Sequence, residues 1–292
     1  MFRNSRTAAV TTAAALCALA GVALTGCDPS AKYDASFSGT GKITVGDRKV
    51  NVSCSGKTVK NRPVVVLMSG AGDGLGKFGG IQKSLAEKGK VCSYDRLGEG
   101  ASDKPAGPQT MQSTGKVLTS VIDRVAGDRP VVLVGHSLGG LIAARYAPDH
   151  RDRVKGLVLL DATPATMTAD LKRIVPASAP ANSPGAQARD QFLAVAKGDY
   201  PERLAIADAP VRSAGDIPVR VVRHGKQYLA AIPTYGPALE RAWADGERTW
   251  LELSAHSTLE VAASSDHYIY LGQPALVVRD VNRVAEEAAG TS

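Results

Sequence analysis

The sequence is short of the side chains that bind metals and cofactors. It has five histidines and four cysteines in 292 residues, and no group of them has the spacing of a ligand set. No metal and no organic cofactor is therefore implied. It also lacks a tract of one charge. The formal net charge is +7, but Arg3 and Arg6 lie at the extreme N-terminus, and without them about +5 remains, dispersed along the chain. Such a scatter gives no basis for a nucleic-acid partner. There is no internal repeat, and no low-complexity tract beyond the first residues. What is there, 44% hydrophobic and 22% charged residues, suits one large domain or two small ones with a sizeable core.

Only the N-terminus carries a long apolar run. "MFRNSRTAAVTTAAALCALAGVALTGC" has a basic start, an apolar stretch and then small residues, which reads as a secretory signal peptide over residues 1–26. Leu24-Thr25-Gly26-Cys27 looks like a bacterial lipobox, in which Cys27 is acylated and becomes the first mature residue. The alternative is an uncleaved anchor, for which alanine and threonine are poor material. A lipid on Cys27 would hold the protein to the cell membrane on its extracytoplasmic face, with residues 27–40 as a polar tether. Cys17 falls inside the signal. Cys54 and Cys92 remain, in a compartment that permits disulfides, either as a bridge or as two buried thiols.

After the tether, "KITVGDRKVNVSCSG" alternates apolar and polar residues around Gly46-Asp47 and predicts a hairpin. Five apolar runs follow, at 63–70, 90–95, 130–136, 154–161 and 217–225, mostly continuous as in strands buried on both faces. Helical patterns lie between most of them. One places Leu118, Val121, Ile122 and Val125 on a single face behind Thr110 as N-cap. Strand–helix alternation of this kind argues for an α/β fold with helices on both faces. Residues 162–216 break the rhythm and read as an inserted helical cap. A helix pattern over 236–255, a strand near 258–263 and a helix opened by Pro274 complete the chain.

One stretch concentrates the chemistry. In "PVVLVGHSLGGLIAARYA" (130–147), Ser137 stands in Gly-x-Ser-x-Gly where a strand gives way to a helix. Such a turn is tight and strained and pushes the hydroxyl out at the sheet's carboxyl edge. The helix that follows aims its free N–H groups at the same place, and the Leu138 amide is set to receive an oxyanion.

On these residues the chain resembles the α/β-hydrolases over nearly all of residues 41–288. The resemblance implies an eight-stranded, mostly parallel sheet with helices on both faces and a cap (162–216) after strand 6. "MSGAGDG" (68–74) falls where the family has its oxyanion loop, so the Ala71 N–H is the second oxyanion donor, although Ser69 replaces the usual histidine. "SYDRLGEGASDKP" is similar to a family stretch in which Asp95 and Arg96 brace that loop. His267, in "SSDHYIYLGQP", matches the base. Of the other histidines, His136 is expected to turn its ring away, His150 and His256 to be solvated, and His224 to have no evident role. The acid is less direct. Many relatives place it after strand 7, where this chain reads "RHGKQYLAAIPTYG" without a carboxylate. The family's other solution, after strand 6, points to Asp161, with Asp216, Asp245 and Asp266 as outside candidates. The family's sheet order also makes strands 2 and 4 neighbours, so a Cys54–Cys92 disulfide becomes geometrically possible. The activity implied is a serine hydrolase cleaving a carboxylic ester or related small acyl compound. Peptide, thioester or carbon–carbon bond hydrolysis, or a non-catalytic binding lipoprotein, are the alternatives.

Overall fold

The computed structural model describes residues 36–290. The signal peptide (1–26), Cys27 and most of the tether lie outside the described residues. β1 (Gly39–Val45) and β2 (Arg48–Ser55) make the hairpin, with Gly46 at φ 59° in the turn. There follow β3 (Val64–Met68), α1 (Gly79–Leu85), β4 (Val91–Tyr94), α2 (Met111–Ala126), β5 (Val131–His136), α3 (Leu138–Tyr146) and β6 (Val154–Leu160). Next come α4 (Met167–Ile174), α5 (Pro184–Lys197), β7 (Val219–His224), α6 (Gly236–Thr249), β8 (Ser257–Ala262), α7 (Ile269–Gly272) and α8 (Pro274–Gly290).

The eight strands form one sheet in the order β1-β2-β4-β3-β5-β6-β7-β8. β2 is antiparallel to β1 and β4, and the remaining pairings are parallel. The continuous apolar runs are explained by two covered faces. Along β3, Val64, Val66 and Met68 face one core while Val65 and Leu67 face the other. α2 and α3 cover the first face. Thr110 caps α2 by accepting from the Ser113 N–H, and Leu118, Val121, Ile122 and Val125 are buried. Each such side chain contributes about 1.5–3 kcal/mol by leaving water. α1 and α8 cover the second face through Ile81, Leu85, Val277, Val281 and Val284.

Two features fasten the edges of this body. Cys54 lies opposite Cys92 across the β2–β4 pairing, and their sulfurs are bonded. Between β6 and β7, α4 and α5 pack on α6 through Leu171, Val175, Ala186, Leu239 and Trp243. The chain then returns to the core at residues 200–205. There Glu202 meets Arg96, its carbonyl accepts from Gln109 Nε2, and Ala205 N–H donates to the Gln109 carbonyl.

Candidate active site

Ser137 sits between β5 and α3 with φ 49° and ψ −119°, a region that a residue with a Cβ enters only under constraint. The constraint is visible on both sides. A Cβ on Gly135 would lie 2.5 Å from the Gly139 backbone, and one on Gly139 would lie 2.2 Å from the Met68 carbonyl oxygen. β5, α3 and β3 therefore meet backbone to backbone, and the serine is forced outward. Leu138 is the first residue of α3, where an amide has no intrahelical acceptor.

The loop after β3 lies beside it. The Arg96 guanidinium donates to the Ser69 carbonyl at 2.5 Å and to the Gly70 carbonyl at 3.0 Å. With the Gly70 carbonyl turned toward Arg96, the trans peptide turns the Ala71 N–H the opposite way. Glu202 holds Arg96 in turn, at 2.6 and 3.1 Å, and both side chains are buried. Ser69 does not take over the scaffolding role of the missing histidine: its hydroxyl is buried and has no hydrogen-bond partner among the described residues.

Asp161 directly follows β6, with φ 45°, and is fully buried. Its Oδ2 is 2.7 Å from His267 Nδ1. Its Oδ1 accepts from the His224 N–H at 3.1 Å, from His224 Nδ1 at 2.7 Å and from Trp243 Nε1 at 3.1 Å. Burial by itself pushes this carboxyl up, but the hydrogen bonds from His224 and His267 outweigh it and hold the group below the usual carboxylate range. Asp216, Asp245 and Asp266 are exposed. Asp245 pairs with Arg248, and Asp266 accepts from the Tyr268 N–H.

Three histidines differ from expectation. His224 is fully buried and bridges Asp161 to Glu240, whose Oε1 is 2.6 Å from His224 Nε2. No local pattern assigns it a role, because its partners stand after β6, 63 residues before it, and on α6, 16 residues after it. His136 does not turn its ring away. The ring lies 4.5 Å from that of His267, and Nε2 donates to the His267 carbonyl at 3.0 Å. Burial pushes its pKa down to about 3, so the imidazole is neutral. His150 is half-buried and stacks on Tyr146 at 3.6 Å. Glu240, Trp243 and Thr163 were missed altogether. The only signal for the first two was their i, i+3 spacing on one helix.

Ser137, Leu138, Ala71 and His267 line one cavity of 280 Å³. Ser137 Oγ is 3.5 Å from Thr163 Oγ1. Leu141, Met167, Leu171, Phe192, Val195 and Ile206 give it an apolar wall, while Asp73, Arg145, Gln191, Tyr200 and Asp208 line the rest with polar groups. Of the apolar residues in 162–216, Leu171, Phe192 and Val195 line the cavity, and Leu171 and Phe192 also join Val175 in the cluster on α6.

Comparison with known proteins agrees with this architecture. A family model described as the α/β hydrolase fold matches residues 63–194. The human (lyso)-N-acylphosphatidylethanolamine lipase is 33% identical over 104 residues, covering 35% of this chain and 30% of that protein. The chain therefore spans under a third of the length of that curated relative. Among solved structures, the enol-lactonase from Burkholderia xenovorans LB400 superposes with a TM-score of 0.59 at 18% identity, covering 85% of this chain and 100% of that one. A bacterial membrane phospholipase A superposes with a TM-score of 0.57 at 15% identity, covering 85% and 86%.

Proposed function

We propose that this chain, whose fold is that of the α/β hydrolases, is a serine hydrolase that cleaves a carboxylic ester or related acyl compound. The observation that carries the reading is the buried Asp161 carboxylate, 2.7 Å from Nδ1 of His267, which lines the same cavity as the strained Ser137. A carboxylate there fixes the imidazole with its proton on Nδ1, so Nε2 is free to accept. Ser137 Oγ attacks the acyl carbonyl carbon, and its proton passes to His267 Nε2. The Leu138 and Ala71 amides receive the oxygen as it becomes negative. Collapse expels the alkoxide, which takes the proton from His267, and leaves an ester of Ser137. Water, deprotonated by His267, then attacks that ester and releases the acid and the serine. The hydrogen bond that Ser137 Oγ makes here is to Thr163 Oγ1 at 3.5 Å, so the serine side chain turns to His267 for the proton transfer.

The apolar part of the wall, Leu141, Met167, Leu171, Phe192, Val195 and Ile206, supports a substrate with a hydrocarbon portion. The relatives with lipase and phospholipase names add support for acyl–oxygen cleavage. Acylation of Cys27 would place this activity on the outer face of the membrane. The test is labelling with a fluorophosphonate probe, followed by hydrolysis of p-nitrophenyl esters of graded chain length. Wild-type protein should label and turn over, and Ser137→Ala should do neither while remaining folded. Retention of a tenth of the activity in that variant would remove Ser137 as nucleophile.

A further inference from the structure

His224 has a carboxylate oxygen on each ring nitrogen: Asp161 Oδ1 at 2.7 Å from Nδ1 and Glu240 Oε1 at 2.6 Å from Nε2. A carboxylate accepts, so each contact calls for a proton on the ring. A neutral imidazole has one such proton, and an imidazolium has two. We propose that His224 is a positioning residue, a buried imidazolium that clamps Asp161 toward His267 and is itself kept charged by Glu240. The proposal rests on the serine-hydrolase reading above.

The geometry gives the clamp two effects. Three N–H groups converge on Asp161 Oδ1, two of them from His224, which leaves Oδ2 for His267 and stops the carboxylate from rotating. Glu240 is fixed in the same manner, since its Oε2 accepts from the Leu229 N–H at 3.1 Å. The second effect is electrostatic. A cation between two buried carboxylates offsets the Asp161 charge that faces His267, and its loss would leave that charge unopposed. Burial disfavours charge on His224, but the bonds and charges of Asp161, then Glu240, outweigh it and raise its pKa. The other groups facing this cluster do not supply the cation. Tyr228 stands edge-on to His224 at 4.8 Å and is pushed up by burial. Glu247 is fully buried, and burial and then the Asp161 charge push it far up, although Arg223 opposes that shift. His267 is the partner on the far side of Asp161.

Glu240→Gln separates charge from hydrogen bonding. The amide must keep its oxygen on the Leu229 N–H, so its NH₂ faces His224 Nε2. That ring nitrogen then accepts, and His224 becomes neutral while still donating from Nδ1 to Asp161. The acidic limb of the kcat/KM profile for an ester should move to higher pH by about half a unit or more, with KM within about two-fold. A merely structural bridge predicts lower activity at every pH with the limb unmoved, and that result overturns the proposal. A second measurement needs no variant: long-range ¹H–¹⁵N correlation on the wild-type protein at pH 7.5 should show both ring nitrogens of His224 protonated. A single protonated nitrogen there overturns the proposal as well. If the wild type neither labels nor hydrolyses esters, the hydrolase reading falls and this one with it. An active wild type with a neutral His224 sinks this inference alone.

Discussion

His136 Nε2 donates to the backbone carbonyl of His267 across 3.0 Å, so the residue before Ser137 holds the loop that carries its partner. Nδ1 of the same ring is buried and has no hydrogen-bond partner among the described residues. This arrangement keeps His136 neutral and fixes a pH dependence of stability. Its folded pKa, lowered to about 3 by burial, lies below the ordinary value of 6.5. Below pH 6.5 the unfolded chain takes up a proton that the folded chain refuses, and stability falls as pH drops toward 3. At pH 5 the loss from this one group is about 2 kcal/mol. His136→Gln should flatten the curve of unfolding free energy between pH 7 and 5 by about that amount. An unchanged slope in urea melts would show that the ring titrates freely.

Asp161→Asn should reduce kcat by about 10⁴ with the fold retained. The reason is specific to this site. The asparagine oxygen must stay with the three N–H groups that Oδ1 now serves, which turns its NH₂ toward His267 Nδ1. That nitrogen would have to accept, the imidazole proton would move to Nε2, and the base would be lost. Near-normal kcat in Asp161→Asn, with loss in Asp245→Asn or Asp266→Asn, would move the acid to another loop.

Glu202→Ala should destabilise the protein by about 3–5 kcal/mol, because it leaves the buried Arg96 charge without its partner. It should also lower kcat more than it raises KM, since Arg96 sets the peptide that carries the Ala71 amide. Denaturant unfolding and ester kinetics on the same preparation check both. A stability change under about 1 kcal/mol would mean that water reaches the pair.

Cys27→Ser should release the protein from membranes or stall its processing. Stable attachment takes more than one acyl chain, which processing at Cys27 would provide. Unchanged mass and retention in the variant would favour an uncleaved anchor.

Much of the fold was legible because its signals are local. Runs such as Val64–Met68 are apolar at every position, and a strand covered on both faces requires that. The elbow was equally plain, since Gly135, Ser137 and Gly139 act within one turn. His267 and Asp161 needed the family resemblance to bring them to one place, and the structure sets them 2.7 Å apart. His224 was illegible for a physical reason. Its surroundings are one carboxylate 63 residues before it and another 16 residues after it, and no local pattern marks either. The ring of His136 was misjudged in the same way, because only the returning loop at 267 gives it something to face.

The stitching of residues 200–205 to the core bears on how a molecule reaches the cavity. Glu202 is tied to Arg96, and the backbone of Pro201 and Glu202 lies so close to Gly98 that a Cβ there would come within 2.3 Å of the Pro201 carbonyl oxygen. A door cannot open along the side on which it is nailed. α4 is likewise seated on Trp243 through the cluster it shares with α6. α5, which brings Phe192 and Val195 to the wall, rests on the same cluster through Ala186. Substrate thus meets a cavity wall that is pinned at both ends, to α6 through Trp243 and to the oxyanion loop through Arg96 and Glu202.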